Sequence, residues 1–252
     1  MRKADYRFIK GLAFSEIKAF LTSGAGGLSI LVFLVLSGLW FYNSVADYSL
    51  QNMNAQVRGQ AIDANLALFS GSLTQLGLII MLVTPLSTMR AFTVFTSGGH
   101  LDLLLAWPLK PIELVLGHFL ASLLILSLLT LLSLLPYLIL IILGVGSLKL
   151  LLSAFLGFVL LISAFTAVGL SVSSLTKSPL ASALSTLGIL GVFWALGWAA
   201  PYLPEFLANL SQGLAFAPRL AHFTYGLLDL NDVLYFLFLT FTGLFLTKPD
   251  FG

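Results

Sequence analysis

Charge is what this sequence has least of. Asp, Glu, Lys and Arg make up 9% of its 252 residues, where a soluble domain carries about 25%. So little polar surface cannot wrap a globule of this size. Cysteine is absent, which excludes disulfides, a thiolate metal site and a cysteine nucleophile. The formal net charge is only +2, without the clustered basic footprint that nucleic acid demands. A phosphate-binding loop is missing as well: Lys177-Ser178 is the only Lys-Ser/Thr pair, and Thr176 stands where that motif needs glycine. His100, His118 and His222 are too far apart for an H-E-x-x-H zinc site. The four Met are scattered, which leaves a copper relay without support.

What the chain has instead is apolar length. Hydrophobic residues make up 59% of it and the mean hydropathy is +1.04. A charge at the centre of a membrane helix costs about 2.5–3.5 kcal/mol on insertion scales, so charge-free runs locate the spans. Lys18 and Asp47 enclose 28 uncharged residues, Asp63 and Arg90 enclose 26, and Glu113 and Lys149 enclose 35. Lys149 to Lys177 and Lys177 to Glu205 enclose 27 each, and Asp232 to Lys248 only 15. About 20 apolar residues cross a hydrocarbon core. These gaps predict an all-α polytopic membrane protein, a single domain over 1–252 with six spans near 26–46, 66–88, 115–142, 150–172, 180–200 and 231–248. The last is short, with Asp232 and Lys248 at its two interfaces. The first ends in Trp40, Phe41 and Tyr42, an aromatic belt rather than a cleavage site.

Orientation follows from Lys and Arg. With the N-terminus inside, Arg2, Lys3, Arg7, Lys10, Lys18, Arg90, Lys110, Lys177 and Lys248 are cytoplasmic, and Arg58, Lys149 and Arg219 lie outside. That bias predicts both termini in the cytoplasm. In this topology Ser171 and His222 fall at opposite faces of the membrane, so no Ser–His pair can form. The span interiors hold no Asp, Glu, Lys or Arg, which argues against a proton- or sodium-coupled carrier. No catalytic residue and no metal ligand set is expected.

Three segments outside the spans carry more information. Residues 8–24, FIKGLAFSEIKAFLTSG, put Phe8, Ile9, Leu12, Ala13, Phe20 and Leu21 mostly on one helical face, as in a helix lying in the interface plane within 1–25; the alternative is a frayed tail. Residues 97–113, SGGHLDLLLAWPLKPIE, place Leu101, Leu104 and Leu105 at helical spacing between Gly98-Gly99 and Trp107-Pro108. Such a helix either docks a soluble partner or rests on lipid. Residues 201–231 stay apolar, yet Pro201, Pro204 and Pro218 forbid one continuous helix; short re-entrant or interfacial helices capping the bundle from outside fit them. Trp40, Trp107, Trp194 and Trp198 fall near the expected interfaces. Gly188, Gly191 and Gly197 would allow close helix contact, either across a dimer or within one chain.

Four stretches in order, FSEIKAFLTSGAGGLSILVFLVLSGLWF, TSGGHLDLLLAWPLKPIELVLGHFLA, VGLSVSSLTKSPLASALSTLGIL and HFTYGLLDLNDVLYFLFLTFTGLFLT, give the chain its family likeness. It resembles the permease subunit of ABC-2-type ATP-binding cassette transporters, in the branch of the gliding-motility and nitrous-oxide-reductase-maturation permeases. Gly99-His100 replaces the usual Gly-Thr, Gly117-His118 replaces Gly-Lys, and the C-terminal TKPDFG lacks the common basic run. The resemblance implies a bacterial inner-membrane complex of two permease chains with two separate ATPase subunits, which bind the ATP and Mg. It also implies an ATPase-coupling interface at Gly99, Leu101, Asp102, Leu104, Leu105 and Pro108, with a second contact around Glu16 and Lys18. The outer segment 201–230, with Phe216, Pro218, His222, Phe223 and Gly226, is then the candidate gate, and an accessory protein with an outer domain is a further expected partner. Two other classes stay open: a membrane scaffold for a cell-envelope complex, and a stand-alone secondary carrier.

Overall fold

The structure, a computed structural model, describes residues 6–57, 68–69, 71–93 and 111–247. The chain is helical throughout these segments, with no strand among the described residues. In chain order the helices are α1 (Tyr6–Thr22), α2 (Gly24–Val57), α3 (Gly71–Thr88), α4 (Pro111–Ser133), α5 (Leu135–Ile142), α6 (Leu148–Leu175) and α7 (Pro179–Ala199). A 3-10 turn, Ala200–Tyr202, leads to α8 (Glu205–Leu214), α9 (Phe216–Thr224) and α10 (Leu230–Leu246).

Five helical segments are long and apolar enough to cross a membrane: Gly26–Ala55, Gly71–Thr88, Ile112–Ile142, Leu148–Leu175 and Pro179–Tyr202. This is the architecture of a polytopic helical membrane protein. α10 is apolar but has 17 residues, about 25 Å at 1.5 Å per residue, short of a core about 30 Å thick. α2 is the reverse case. Its 34 residues extend well past the expected end at 46. The span over 115–142 is broken at Leu134, because Pro136 in the first turn of α5 has no N–H to continue the ladder. Pro85 sits inside α3, which runs on to Thr88.

α6 is the axis of the bundle, packed by α3, α4, α5, α7, α9 and α10. Glycine lets its neighbours come close. A Cβ on Gly169 would meet the Thr88 Oγ1 at 2.4 Å, and one on Gly243 of α10 would meet the Ala167 backbone carbon at 2.8 Å. Phe158, Phe165, Phe216, Phe223 and Phe236 are fully buried around this axis. Trp194, expected near an interface, is turned into the core, where it and Leu220 leave room only for the bare Gly77. Trp40 and Trp198 are exposed.

The two ends of the bundle differ in construction. At one end α1 lies along α4 and turns sharply into α2 at Ser23, whose hydroxyl donates to the Phe20 carbonyl at 2.9 Å and accepts from the Gly26 N–H at 2.9 Å. At the other end the segment expected to be broken by proline is the 3-10 turn followed by α8 and α9, which pack against α7 and α6. Gly226, with φ +79°, reverses the chain after α9, and Asp229 caps α10 by accepting from the Asn231 N–H at 2.9 Å.

Candidate functional site

Two groups of charged residues occupy the two ends, and the side-chain hydrogen bonds between helices in the middle of the described bundle join hydroxyls. Thr74 meets Thr224 at 3.2 Å and Ser163 meets Thr240 at 2.9 Å. Others, such as Thr84, Thr130 and Thr166, donate back to carbonyls four residues earlier, a pattern of helix packing rather than chemistry.

At the capped end, Arg219 and His222 are three residues apart on α9 and so share a face. Both reach Asp232 in the first turn of α10. The Arg219 Nη1 donates to Oδ1 at 2.8 Å and the His222 Nδ1 lies 2.6 Å from Oδ2. The guanidinium also donates to the Gly213 carbonyl, from Nε at 3.0 Å and Nη2 at 2.6 Å. Its plane lies over the Tyr235 ring, 4.1 Å from the centroid, and the Tyr235 hydroxyl donates to the Leu214 carbonyl at 2.5 Å. Asp232 is only 4% exposed. A carboxylate this buried is tolerable because both oxygens are paired. The set ties α8, α9 and α10 into one clasp.

The gate candidates divide accordingly. Phe216 and Phe223 are core residues, with Phe216 5.0 Å from the Phe165 ring and Phe223 pressed on Gly157. Pro218 is half-buried against Gly197, His222 is in the clasp, and Gly226 makes the turn. Sequence reasoning placed Arg219 outside and Asp232 at an interface without pairing them. The signal was the i, i+3 spacing of Arg219 and His222 followed within a turn by an acidic first helical turn.

At the other end, α1 presents Glu16 to α4, 3.8 Å from the His118 Nδ1. Lys18 points away and is exposed. The contact is close because Gly117 leaves space for Leu12. His118 is buried, stacks edge-on to Phe92 at 5.5 Å, and its Nε2 has no hydrogen-bond partner among the described residues. Burial pushes the Glu16 carboxyl above its usual range. A cavity of about 250 Å³ opens here between α1, α3 and α4, with Glu16, Arg90 and His118 on its wall. The coupling candidates Gly99, Leu101, Asp102, Leu104, Leu105 and Pro108 lie outside the described residues, as does Trp107.

Of the dimer-packing candidates, Gly188 and Gly191 have no atom within 4 Å of an added Cβ, whereas Gly197 packs within the chain on Pro218, Ala215 and Ala217. No cluster of three or more His, Cys, Asp or Glu able to hold a metal occurs among the described residues. No family model matches the chain, and no curated protein does either.

Proposed function

We propose that the chain is the membrane-embedded subunit of an ATP-binding cassette transporter of the ABC-2 type, with six spans and both termini in the cytoplasm of a bacterial cell. It works as a pair of permease chains on two ATPase subunits that bind ATP and Mg. The observation that carries this proposal is the placement of α1. It packs along the first turns of α4, and α4 begins at Pro111, within the segment 97–113 proposed to dock the ATPase. α1 and residues 111–113, the described end of that segment, therefore lie at one end of the bundle.

In this mechanism ATP closes the ATPase dimer, and the closure moves segment 97–113 and α1. The motion passes to α6 through tight, glycine-mediated contacts, Thr88 on Gly169 at one end and Phe223 on Gly157 at the other. The α8–α9 cap is then the outer gate. Nucleotide drives the cycle by binding two states of the complex unequally, since a ligand shifts an equilibrium only by its differential affinity. The substrate is acted on between two bundles lined by Leu, Phe, Gly and Ser.

The test is recovery of the solubilised chain from its native membrane, with mass spectrometry and an ATPase assay. An ATP-binding cassette subunit in near-equal amount with vanadate-sensitive hydrolysis is the expected result. Leu104→Asp or Leu105→Asp should abolish that recovery while the chain still inserts. Recovery of the chain alone under every detergent and salt condition would overturn the proposal in favour of a scaffold or a stand-alone carrier.

A further inference from the structure

The cavity beside α1 shares Glu16 with the proposed ATPase contact, but its other lining residues have no part in the transport proposal. Its walls come from Glu16, Ala19, Phe20 and Ser23 in and just after α1, Leu86, Ser87, Arg90 and Ala91 at and just past the end of α3, and His118, Ala121, Ser122 and Ile125 on α4. From His118 to Ile125 the α4 face descends seven residues, about 10 Å. The wall thus passes from charged and polar groups at the end of the bundle to Leu86 and Ile125 deeper in it. That gradient matches an amphiphile standing in a membrane interface.

The charges are of both signs and do not cancel each other. Arg90 is exposed at the rim and takes part in none of the ion pairs found among the described residues. Glu16 is half-buried, and its contact with His118 is too long for a hydrogen bond at 3.8 Å. The hydroxyls of Ser87 and Ser23 add acceptors rather than donors. Ser87 already donates to the Thr84 carbonyl at 2.8 Å and Ser23 to the Phe20 carbonyl at 2.9 Å, so their oxygens offer lone pairs to a cavity ligand. One side of the cavity therefore seeks an anion and the other an N–H cation.

We infer that this cavity binds the headgroup of an aminophospholipid, with the phosphate on Arg90, the primary ammonium on Glu16 and Ser87, and the acyl chains leaving past Leu86 and Ile125. Phosphatidylglycerol satisfies Arg90 but leaves the half-buried Glu16 carboxylate without a cation. Phosphatidylcholine carries a cation with no N–H to donate. Because burial raises the carboxyl of Glu16, an ammonium that binds its ionised form binds better as pH rises through that raised value. The groups facing Glu16 across the cavity are His118 on α4 and Arg90 beyond α3. The inference does not depend on any ATPase.

The experiment is native mass spectrometry of the full chain in detergent, titrated with dioctanoyl phosphatidylethanolamine, phosphatidylcholine and phosphatidylglycerol, and with free phosphoethanolamine. We expect phosphatidylethanolamine to bind about tenfold tighter than the other two lipids, the worth of one charge-assisted hydrogen bond. Glu16→Gln should remove that preference and its pH dependence, in part by improving phosphatidylglycerol binding, since no carboxylate is then left without a cation. Arg90→Gln should weaken phosphatidylethanolamine and phosphatidylglycerol alike. Equal binding of all three lipids by the unaltered chain overturns the inference, whatever the variants do. So does binding of none. Free phosphoethanolamine binding as tightly as the lipid would overturn the membrane source and leave a soluble zwitterion as the ligand.

Discussion

The two ends of the bundle handle their carboxylates, one buried and one half-buried, in opposite ways. Asp232 is met by a guanidinium and an imidazole, and the guanidinium is itself shared with a carbonyl and an aromatic face. Glu16 is met by one distant imidazole nitrogen and a cavity. The clasp commits both Asp232 oxygens and most of the Arg219 guanidinium to holding helices together. The α1 end leaves its polar groups underused, and that is the condition for binding something else. Packing differs in the same sense. Gly157 faces the Phe223 Cβ, which cannot move without its backbone, whereas Gly117 faces the far end of the Leu12 side chain.

The contrast is broken most severely at Asp232. Asp232→Ala removes the acceptor shared by Arg219 and His222 and should cost about 3 kcal/mol, since the mostly buried guanidinium of Arg219 is left uncompensated. Thermal unfolding in detergent reads this as a lowered midpoint. Replacing Arg219 and Asp232 together with Leu should cost far less, because no charge is then stranded. If the double variant is as unstable as Asp232→Ala, the clasp is not an ion pair in any energetic sense.

Much of this architecture is legible in the sequence, for a simple reason. A charge is so costly in lipid that long charge-free gaps have few explanations, and five of the predicted spans coincide with long apolar helices. Pro201, Pro204 and Pro218 likewise divide the cap as expected, because a missing N–H acts locally. What escaped was tertiary. Nothing local distinguishes Trp194 from Trp198, yet one is buried and the other exposed. Arg219 and Asp232 become partners only through the turn at Gly226. The break before α5 was legible at Pro136 and passed unnoticed inside a long apolar run. The cavity combines α1, α3 and α4, whose lining residues are separated by tens of positions, so no motif of contiguous residues announces it.

Glycine substitutions sharpen the comparison at an intermediate scale. Gly157→Ala places a methyl 2.6 Å from the Phe223 Cβ and 2.7 Å from its Cγ, and Phe223 is fully buried. The helices must separate, at a cost of about 1–3 kcal/mol. Gly117→Ala places one 2.4 Å from the Leu12 Cδ2, which a rotamer change relieves, for a cost of about 1 kcal/mol or less. Equal losses in the two variants, measured by thermal unfolding, would show that the α1 contact is as rigid as the cap.

The smallest effect separates the two carboxylates by pH. Glu16 has its folded carboxyl raised by burial, so docked α1 binds more protons than undocked α1, and its stability falls as pH rises. The contribution is complete below the ordinary carboxyl value of 4.5 and is lost as pH passes the raised folded value. The Glu16 side chain is 41% exposed, so solvent screening limits the effect to a few tenths of a kcal/mol, on the order of an exposed ion pair. Hydrogen exchange of α1 amides between pH 5 and 8, corrected for intrinsic rates, would show protection declining in the unaltered chain and flat in Glu16→Gln, with the variant better protected at neutral pH. A bound ammonium reverses the sign, because it favours the ionised carboxylate that burial disfavours. Adding phosphatidylethanolamine should therefore restore protection of the unaltered chain at high pH and do nothing for Glu16→Gln. Protection that rises with pH in the absence of lipid would mean that docked α1 favours the ionised Glu16 carboxylate, against the effect of burial.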